Sequence, residues 1–441
     1  MSNTIVLKQG LDIPCSGVAD LHVSESMSPS TIAVEPCIKG LLPRLLVREG
    51  DRVLRGSPVI ADKKNPDILL TSPVSGMVKE VKRGEKRKLL AVLIESDGKD
   101  ESVEFQTGDV RKALLESGLW SYLVQRPYGI MADPAVTPKG IFISTFHTGP
   151  LAARTDFTLA SDAPMLQKGI DALRTIAPVH LGIDGSVASG VFCNLSGCTM
   201  HPFKGKHPAG NVGVQISHIS PIGKGNVVWT LSPAALAAIG KLFATCRLDL
   251  RRKVAVGGPA CLRPDYVETL PGTPMRNFQA RWGASAEGLR IISGDILTGA
   301  AVGPDGYLGR DDDQVTIMHE GDHKELLGWI NPLRLKIFSA DKTYLASYLK
   351  GKRYDMDTNL HGGVRAFLMN ENYYSRVLPM DIYPVMLAKA CLAGDIAKME
   401  KFGIYEVLPE DLALCEFVDP SKNDIQDIIG RGIDLMLKEM A

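Results

Sequence analysis

Between residues 44 and 95 apolar positions alternate with polar ones, and glycine turns break the runs. The turns are Arg48-Glu49-Gly50-Asp51 and Arg55-Gly56-Ser57-Pro58, and the run Ser72-Pro73-Val74-Ser75-Gly76-Met77-Val78 leads on to Val81 and Gly84. Met77, Val78 and Val81 before Gly84, and Leu90, Val92 and Ile94 after it, have the period of half-buried strands. Beyond this module the period lengthens. Asp109 caps a predicted helix through Val110, Ala113, Leu114, Leu119 and Trp120, which ends near Arg126-Pro127, where proline forbids continuation. A strand at Ile141-Phe142-Ile143-Ser144-Thr145, a helix from Pro164 through Ile176, a strand at Val179-His180-Leu181-Gly182-Ile183 and a helix opening at Ser232-Pro233 follow. Strands alternating with helices predict a parallel sheet covered on both faces. Lys253 to Pro259, Leu289 to Gly294 and Val315 to Met318 return to strand-like runs around one helix, and the remainder reads as helical.

The expected class is therefore α/β multidomain. Its parts are a β-module over 1–105, an α/β domain over 106–246, a second β-rich domain over 247–335 and a helical domain over 336–441. A chain of 441 residues exceeds what one core supports, which agrees with several domains. Lysine plus arginine (50) equals aspartate plus glutamate (50), so the footprint of a nucleic-acid binder is missing and no nucleic-acid partner is expected. The stretch from Met1 to Gly10 has no apolar core of an export signal. Val227 to Cys246 contains Pro233 and Lys241 and is expected to be a buried helix, with no transmembrane segment. Eight scattered cysteines point to reduced thiols in the cytoplasm.

Candidate chemistry is sparse. No strand leads into G-x-G-x-x-G and no phosphate loop occurs, so the sheet gives no sign of NAD or ATP binding. Cys193, Cys198, His201 and His207 form C-x4-C-x2-H-x5-H, thiolates and imidazoles of the kind zinc prefers. The spacing matches no common zinc module, and a packed structural loop is the expected reading. Signatures of metalloproteases and serine hydrolases are missing from the sequence.

Several segments resemble known families. Val47, Gly50, Asp51, Val53 and Gly56, then Pro73, Gly76 and Val78, resemble the barrel-sandwich hybrid of biotinyl and lipoyl carriers. In such carriers a hairpin lysine bears the prosthetic group, which makes Lys63 of Asp62-Lys63-Lys64 a carrier alternative. Its spacing to Pro73 is too long, however, and Asn65-Pro66 would deform a tight turn. The region around 253–335 looks like the β-grasp ligand-binding (SLBB-type) domain of respiratory subunits. Leu378-Pro379-Met380-Asp381-Ile382-Tyr383-Pro384, Ala393 to Lys398 and Leu412 to Lys422 resemble the two-cluster ferredoxin region of the C-subunit family of bacterial electron-transport complexes. Laid on that family, the ligand places become Leu368, Glu371, Tyr374 and Leu378, then Pro409, Leu412, Cys415 and Asp419. One cysteine cannot supply the about four thiolates of a [4Fe–4S] cluster.

From the α/β domain onward the chain also resembles the flavin subunit of complex I. Ser117-Gly118-Leu119 is here followed by bulky residues up to Tyr128, where that protein needs glycines against flavin phosphate. With Gly10-Leu11-Asp12-Ile13-Pro14, His207-Pro208-Ala209-Gly210 and Lys324-Glu325-Leu326-Leu327-Gly328-Trp329, the order of parts resembles the A-subunit family of sodium-translocating NADH:quinone oxidoreductases. This resemblance implies a peripheral component at the cytoplasmic face of the bacterial inner membrane, within a complex that oxidises NADH, reduces ubiquinone and exports Na+. It implies partners in the B to F subunits, chiefly the membrane-embedded B subunit. Flavins and iron–sulfur clusters then belong to those partners, with no cofactor and no independent catalysis on this chain. In the place of the lost flavin loop, Trp120, Tyr122, Arg126 and Tyr128 offer the flat wall and donors that a quinone head needs. The alternative for these four is a helix end, with Arg126 on its last carbonyls and the aromatics in the core.

Overall fold

The structure is a computed structural model that describes residues 4–187, 190–283, 288–321, 327–331, 333–359 and 370–439. Leu368 and residues 324–326 of the motif ending at Trp329 lie outside the described residues.

The N-terminal module is a barrel-sandwich of two small sheets. One has the order Thr31–Val34, Leu89–Ser96, Gly76–Arg83, Arg52–Val53; the other pairs Pro43–Leu45, Pro58–Asp62 and Leu69–Thr71. Val78, Val92 and Ile94 fill its interior. The alternation expected after Gly84 departs from the structure, because Leu89–Ser96 is buried on both faces and Leu90 is exposed. Ala91 and Leu93 on its outer side pack with Ala33 and Tyr307, so the β-grasp region covers what a lone module would expose. The Lys82 ammonium donates to the Tyr307 hydroxyl at 2.7 Å across the same contact.

The central sheet has the order Ile5–Val6, Thr199–Lys204, Val179–Asp184, Ile141–Ser144, Val228–Thr230, Val124–Arg126, Ile130–Met131. The first five are parallel to their neighbours, and the last two are added antiparallel. The predicted helix after Asp109 is cut short. Asp109 does cap Val110–Glu116, accepting from the Lys112 amide at 3.1 Å. Gly118 then takes a left-handed φ of 81°, which ends the helix, and Leu119–Tyr122 is one 3-10 turn. Val124–Arg126 is a strand paired with Val228–Thr230, so Arg126 does not serve a helix end. Ser232 caps Pro233–Thr245 as expected, accepting from the Ala235 amide at 3.2 Å.

The third sheet has the order Ala300–Ala301, Leu289–Ser293, Gln314–His319, Arg252–Gly257, Asp265–Thr269, Val23–Ser24. The helix Met275–Trp282 lays Met275, Phe278 and Trp282 on Val254, Val256 and Ile317. Two short strands near the N-terminus thus join sheets other than their own module's: Ile5–Val6 enters the central sheet and Val23–Ser24 the third.

The C-terminal helices, among them Pro384–Ala393, Ile396–Phe402 and Ile425–Glu439, pack around a second apolar core, to which Phe142, Ile216 and Val228 of the central domain also contribute. Tyr374, Leu378, Leu412 and Cys415, four of the ligand places expected from the resemblance to a ferredoxin region, are part of that core. Burial pushes the Cys415 thiol far above the usual cysteine range, so its sulfur stays protonated. Among the described residues no helix is long and apolar enough to cross a membrane.

Candidate functional site

In an open α/β sheet a ligand crevice forms at the carboxyl ends of the strands, where the strand order reverses. Ile141–Ser144 continues toward Val179–Asp184, whereas Val228–Thr230, on its other flank, feeds the helix Pro233–Thr245. At their carboxyl ends lies a cleft of about 1720 Å³. Ser144, Thr230, Asn211 and Ser232 are on its floor and walls, and the N-termini of Val212–Ile219 and Pro233–Thr245 border it.

Helix N-termini attract anions, but the opposite wall reverses the sign. Asp295, Asp311, Asp312, Asp313 and Glu410 line the cleft, while no lysine or arginine does so among its described lining residues. A phosphate entering here would meet carboxylates in a partly dehydrated crevice, where charge repulsion is weakly screened. The triplet Asp311-Asp312-Asp313 is plain in the sequence, yet only the fold brings it to the switch point. Its signal would have been three adjacent carboxylates between two strands, with no basic neighbour after Arg310.

Histidines punctuate this wall. His147 lies 3.4 Å from the Asp313 carboxylate. Burial alone would lower the pKa of His147, but the carboxylate outweighs it and the net shift is upward; Asp313, opposed by its own burial, is held below the usual carboxylate range by His147. His207 is buried, its Nδ1 is 3.2 Å from the Thr148 hydroxyl, and burial lowers its pKa despite Asp295 and Asp12.

The four residues expected beside a quinone are sent in different directions. Trp120 is wholly buried, donates from its indole N–H to the Ala132 carbonyl at 2.8 Å and meets Trp229 edge-on at 5.3 Å. Arg126, 1% exposed, donates to Asp411 at 2.8 Å and to Glu410 at 2.7 Å. Tyr128 is half-buried with its ring 6.1 Å from that of Tyr405. Tyr122 borders both the switch-point cleft and a narrow apolar cleft shared by the first three domains. That smaller cleft is walled by Val34, Leu70, Leu248, Leu250 and Leu308, and by Ser117-Gly118-Leu119. The Arg310 guanidinium stands 4.9 Å over the Tyr122 ring. Burial, countered by Arg252 and Arg310, pushes the Tyr122 phenol up to about 12, so it remains a donor at neutral pH.

The zinc candidates are likewise kept apart. His201 Nε2 faces His180 Nδ1 at 3.1 Å, His207 turns to Thr148, Cys198 packs on the main core and Cys193 lines a different cleft. Among the described residues no three His, Cys, Asp or Glu side chains are placed to hold a metal. Lys63 is exposed in the connection between Pro58–Asp62 and Leu69–Thr71, and the buried Asp62 carboxylate organises that turn by accepting from the Leu42 and Asn65 amides.

Two expectations follow. Arg126→Ala leaves the fully buried Asp411 carboxylate without its cation and should cost about 3–5 kcal/mol, read as a lower urea midpoint and early proteolytic release of the C-terminal helices; an unchanged midpoint would refute the role given to the pair. The His147–Asp313 pair should stabilise the fold most between pH 3.8 and 6.5, the unshifted values of its members. The raised pKa of His147 means that its contribution fades as pH climbs through that pKa, while the contribution of Asp313 fades as pH falls through its lowered one. Thermal midpoints of wild type and His147→Gln should therefore converge as pH is raised above 6.5; a pH-independent gap would contradict this.

The sequence matches three domain families in succession. They are the NqrA N-terminal barrel-sandwich hybrid domain over residues 5–97, the NqrA second alpha/beta domain over 105–248 and the NQRA C-terminal domain over 253–303. Among curated proteins, the A subunit of Na(+)-translocating NADH-quinone reductase from Neisseria meningitidis is 34% identical across 99% of this chain and 100% of its own length. The proteins of the same name from Vibrio vulnificus and Yersinia pseudotuberculosis are 35% and 37% identical, covering 99% and 96% of this chain and 100% and 97% of their own. With three successive domain matches and these relatives matched over nearly their whole length, the chain belongs to the NqrA family, the A subunits of Na(+)-translocating NADH-quinone reductases.

Proposed function

We propose that this chain is the peripheral, non-redox A subunit of a bacterial membrane complex that oxidises NADH, reduces ubiquinone to ubiquinol and exports Na+. The observation that carries this reading is the match over essentially the whole length to relatives bearing that name. Two physical features support the non-redox part. The ferredoxin-like ligand places hold one thiol and otherwise side chains such as Glu371, Tyr374, Leu378, Leu412 and Asp419, whereas a [4Fe–4S] cluster needs about four thiolates. The crevice where a dinucleotide would bind is lined with carboxylates. Flavins, clusters and the sodium path accordingly lie on the partner B to F subunits, and the chain sits at the cytoplasmic face, docked chiefly on the membrane-embedded B subunit.

At the quinone end, the four candidates reduce to one contact. The Trp120 indole N–H is taken by Ala132, and the two terminal nitrogens of the buried Arg126 by Asp411 and Glu410. Tyr122, with Arg310 over its ring, presents a flat wall and a protonated phenol beside an apolar cleft. It acts as a positioning residue that orients a quinone head arriving from the membrane side.

The test is NADH-driven quinol formation by the purified complex with and without this chain. Loss of quinol formation, with NADH oxidation by an artificial acceptor retained, is expected; unchanged quinol formation in a complex lacking the chain would overturn the assignment. Within the complete complex, Tyr122→Ala should raise the KM for ubiquinone with little change in kcat, and Tyr122→Phe should keep the wall and lose only the hydroxyl's share. Unchanged KM in Tyr122→Ala would remove Tyr122 from the quinone end.

A further inference from the structure

Residues 333–353 contain six basic residues, Arg334, Lys336, Lys342, Lys350, Lys352 and Arg353, against the single carboxylate Asp341. The same stretch exposes Leu333 (65%), Leu335 (49%), Leu345 (54%), Tyr348 (67%) and Leu349 (54%). Single exposed leucines need no explanation, but a concentration of them does.

The two ends of this stretch are neighbours in space. The Arg334 guanidinium donates to the Tyr344 hydroxyl at 3.1 Å, and the Lys352 ammonium donates to the Leu335 carbonyl. Its back is anchored. Tyr354 is buried, donates from its hydroxyl to the Ala346 carbonyl at 2.9 Å and exchanges backbone hydrogen bonds with Pro14 and Ser16. Ala346 is wholly buried, and Phe338 stacks on Phe417 of the helical domain at 6.3 Å. A segment fastened through its small and aromatic residues thus turns its larger aliphatic ones to the outside.

Lys336, Lys342, Lys350 and Arg353 are exposed, and among the described residues none has a carboxylate partner. Asp341 is occupied by Arg376 at 2.7 Å, and Asp355 accepts from the Ser16 hydroxyl. Protruding leucines and a tyrosine interleaved with lysines on an irregular backbone suit the headgroup layer of an anionic bilayer. Apolar tips enter the acyl boundary, long basic stems lie along it, and each cation near the surface adds attraction. A partner protein chosen by the same surface would have to supply carboxylates in register with each of these cations.

We propose that residues 333–353 form a lipid-contacting surface by which this chain binds anionic phospholipid directly, in addition to any contact with partner subunits. This goes beyond the assignment to a complex, because it is a property of the isolated chain.

The experiment is co-sedimentation of the purified full-length chain with vesicles of phosphatidylcholine alone and of phosphatidylcholine mixed with phosphatidylglycerol. Binding to the mixed vesicles, weakened by salt, and little binding to the neutral ones is expected. Lys336→Gln with Lys350→Gln should weaken it about thirtyfold. Leu345→Ser with Leu349→Ser should remove the salt-resistant part; since all four side chains are exposed, circular dichroism should show these variants folded. No binding to either vesicle, or binding undiminished in both double variants, overturns the proposal. So does a photo-cross-linker at position 348 that labels only a membrane protein and no lipid in native membranes. Vesicle binding can fail while the quinol assay succeeds, so the two readings fall separately.

Discussion

A guanidinium stripped of water has to find carboxylates, and Arg126 finds them 284 and 285 residues away in Glu410 and Asp411. The pair joins an edge of the central sheet to the C-terminal helices. Asp411 also accepts from the Leu408 amide at 3.0 Å, so the same carboxylate closes the turn Pro409–Leu412. Gly213 is required beside it: a Cβ there would lie 2.3 Å from Asp411 and 2.4 Å from Arg126. This contact sets Leu408, Pro409 and Glu410 against the switch-point cleft, and the negative wall of that cleft is in part its by-product.

Much of the fold is written locally and was legible. Ser232 and Asp109 cap the helices they precede, the strands at Ile141–Ser144 and Val179–Asp184 are continuous apolar runs, and the turns around Gly50 and Gly56 punctuate the first module. What escaped is what depends on distant chain. Val124–Arg126 is too short to show a period and becomes a strand because Val228–Thr230 pairs with it. Ala91 and Leu93, on the outer side of their strand, are buried only because Tyr307 comes from another domain to cover them. The candidate site was legible in chemistry but not in direction: the sequence placed an indole, two phenols and a guanidinium within nine residues, and the backbone turned three of them to partners elsewhere.

The C-terminal helices close on apolar contact, with Leu378, Leu412, Ile429 and Met399 sharing one core. One polar remainder is left at this place. The Tyr374 hydroxyl and Asp419 Oδ1 are buried without a partner of good hydrogen-bond geometry, although the Asp419 carboxylate, after burial, is the next cause of the rise in the Tyr374 pKa. Apolar packing fills the centre and leaves these two oxygens buried within it.

The short strands Ile5–Val6 and Val23–Ser24 carry a consequence for biosynthesis. Their partners, Thr199–Lys204 and Asp265–Thr269, leave the ribosome only after some two hundred further residues. The amino end must stay unpaired while the barrel-sandwich closes behind it, then be captured by two sheets in turn. Folding of the first three domains is thereby tied together, because each of these pairings closes only after the strand that completes it has been made.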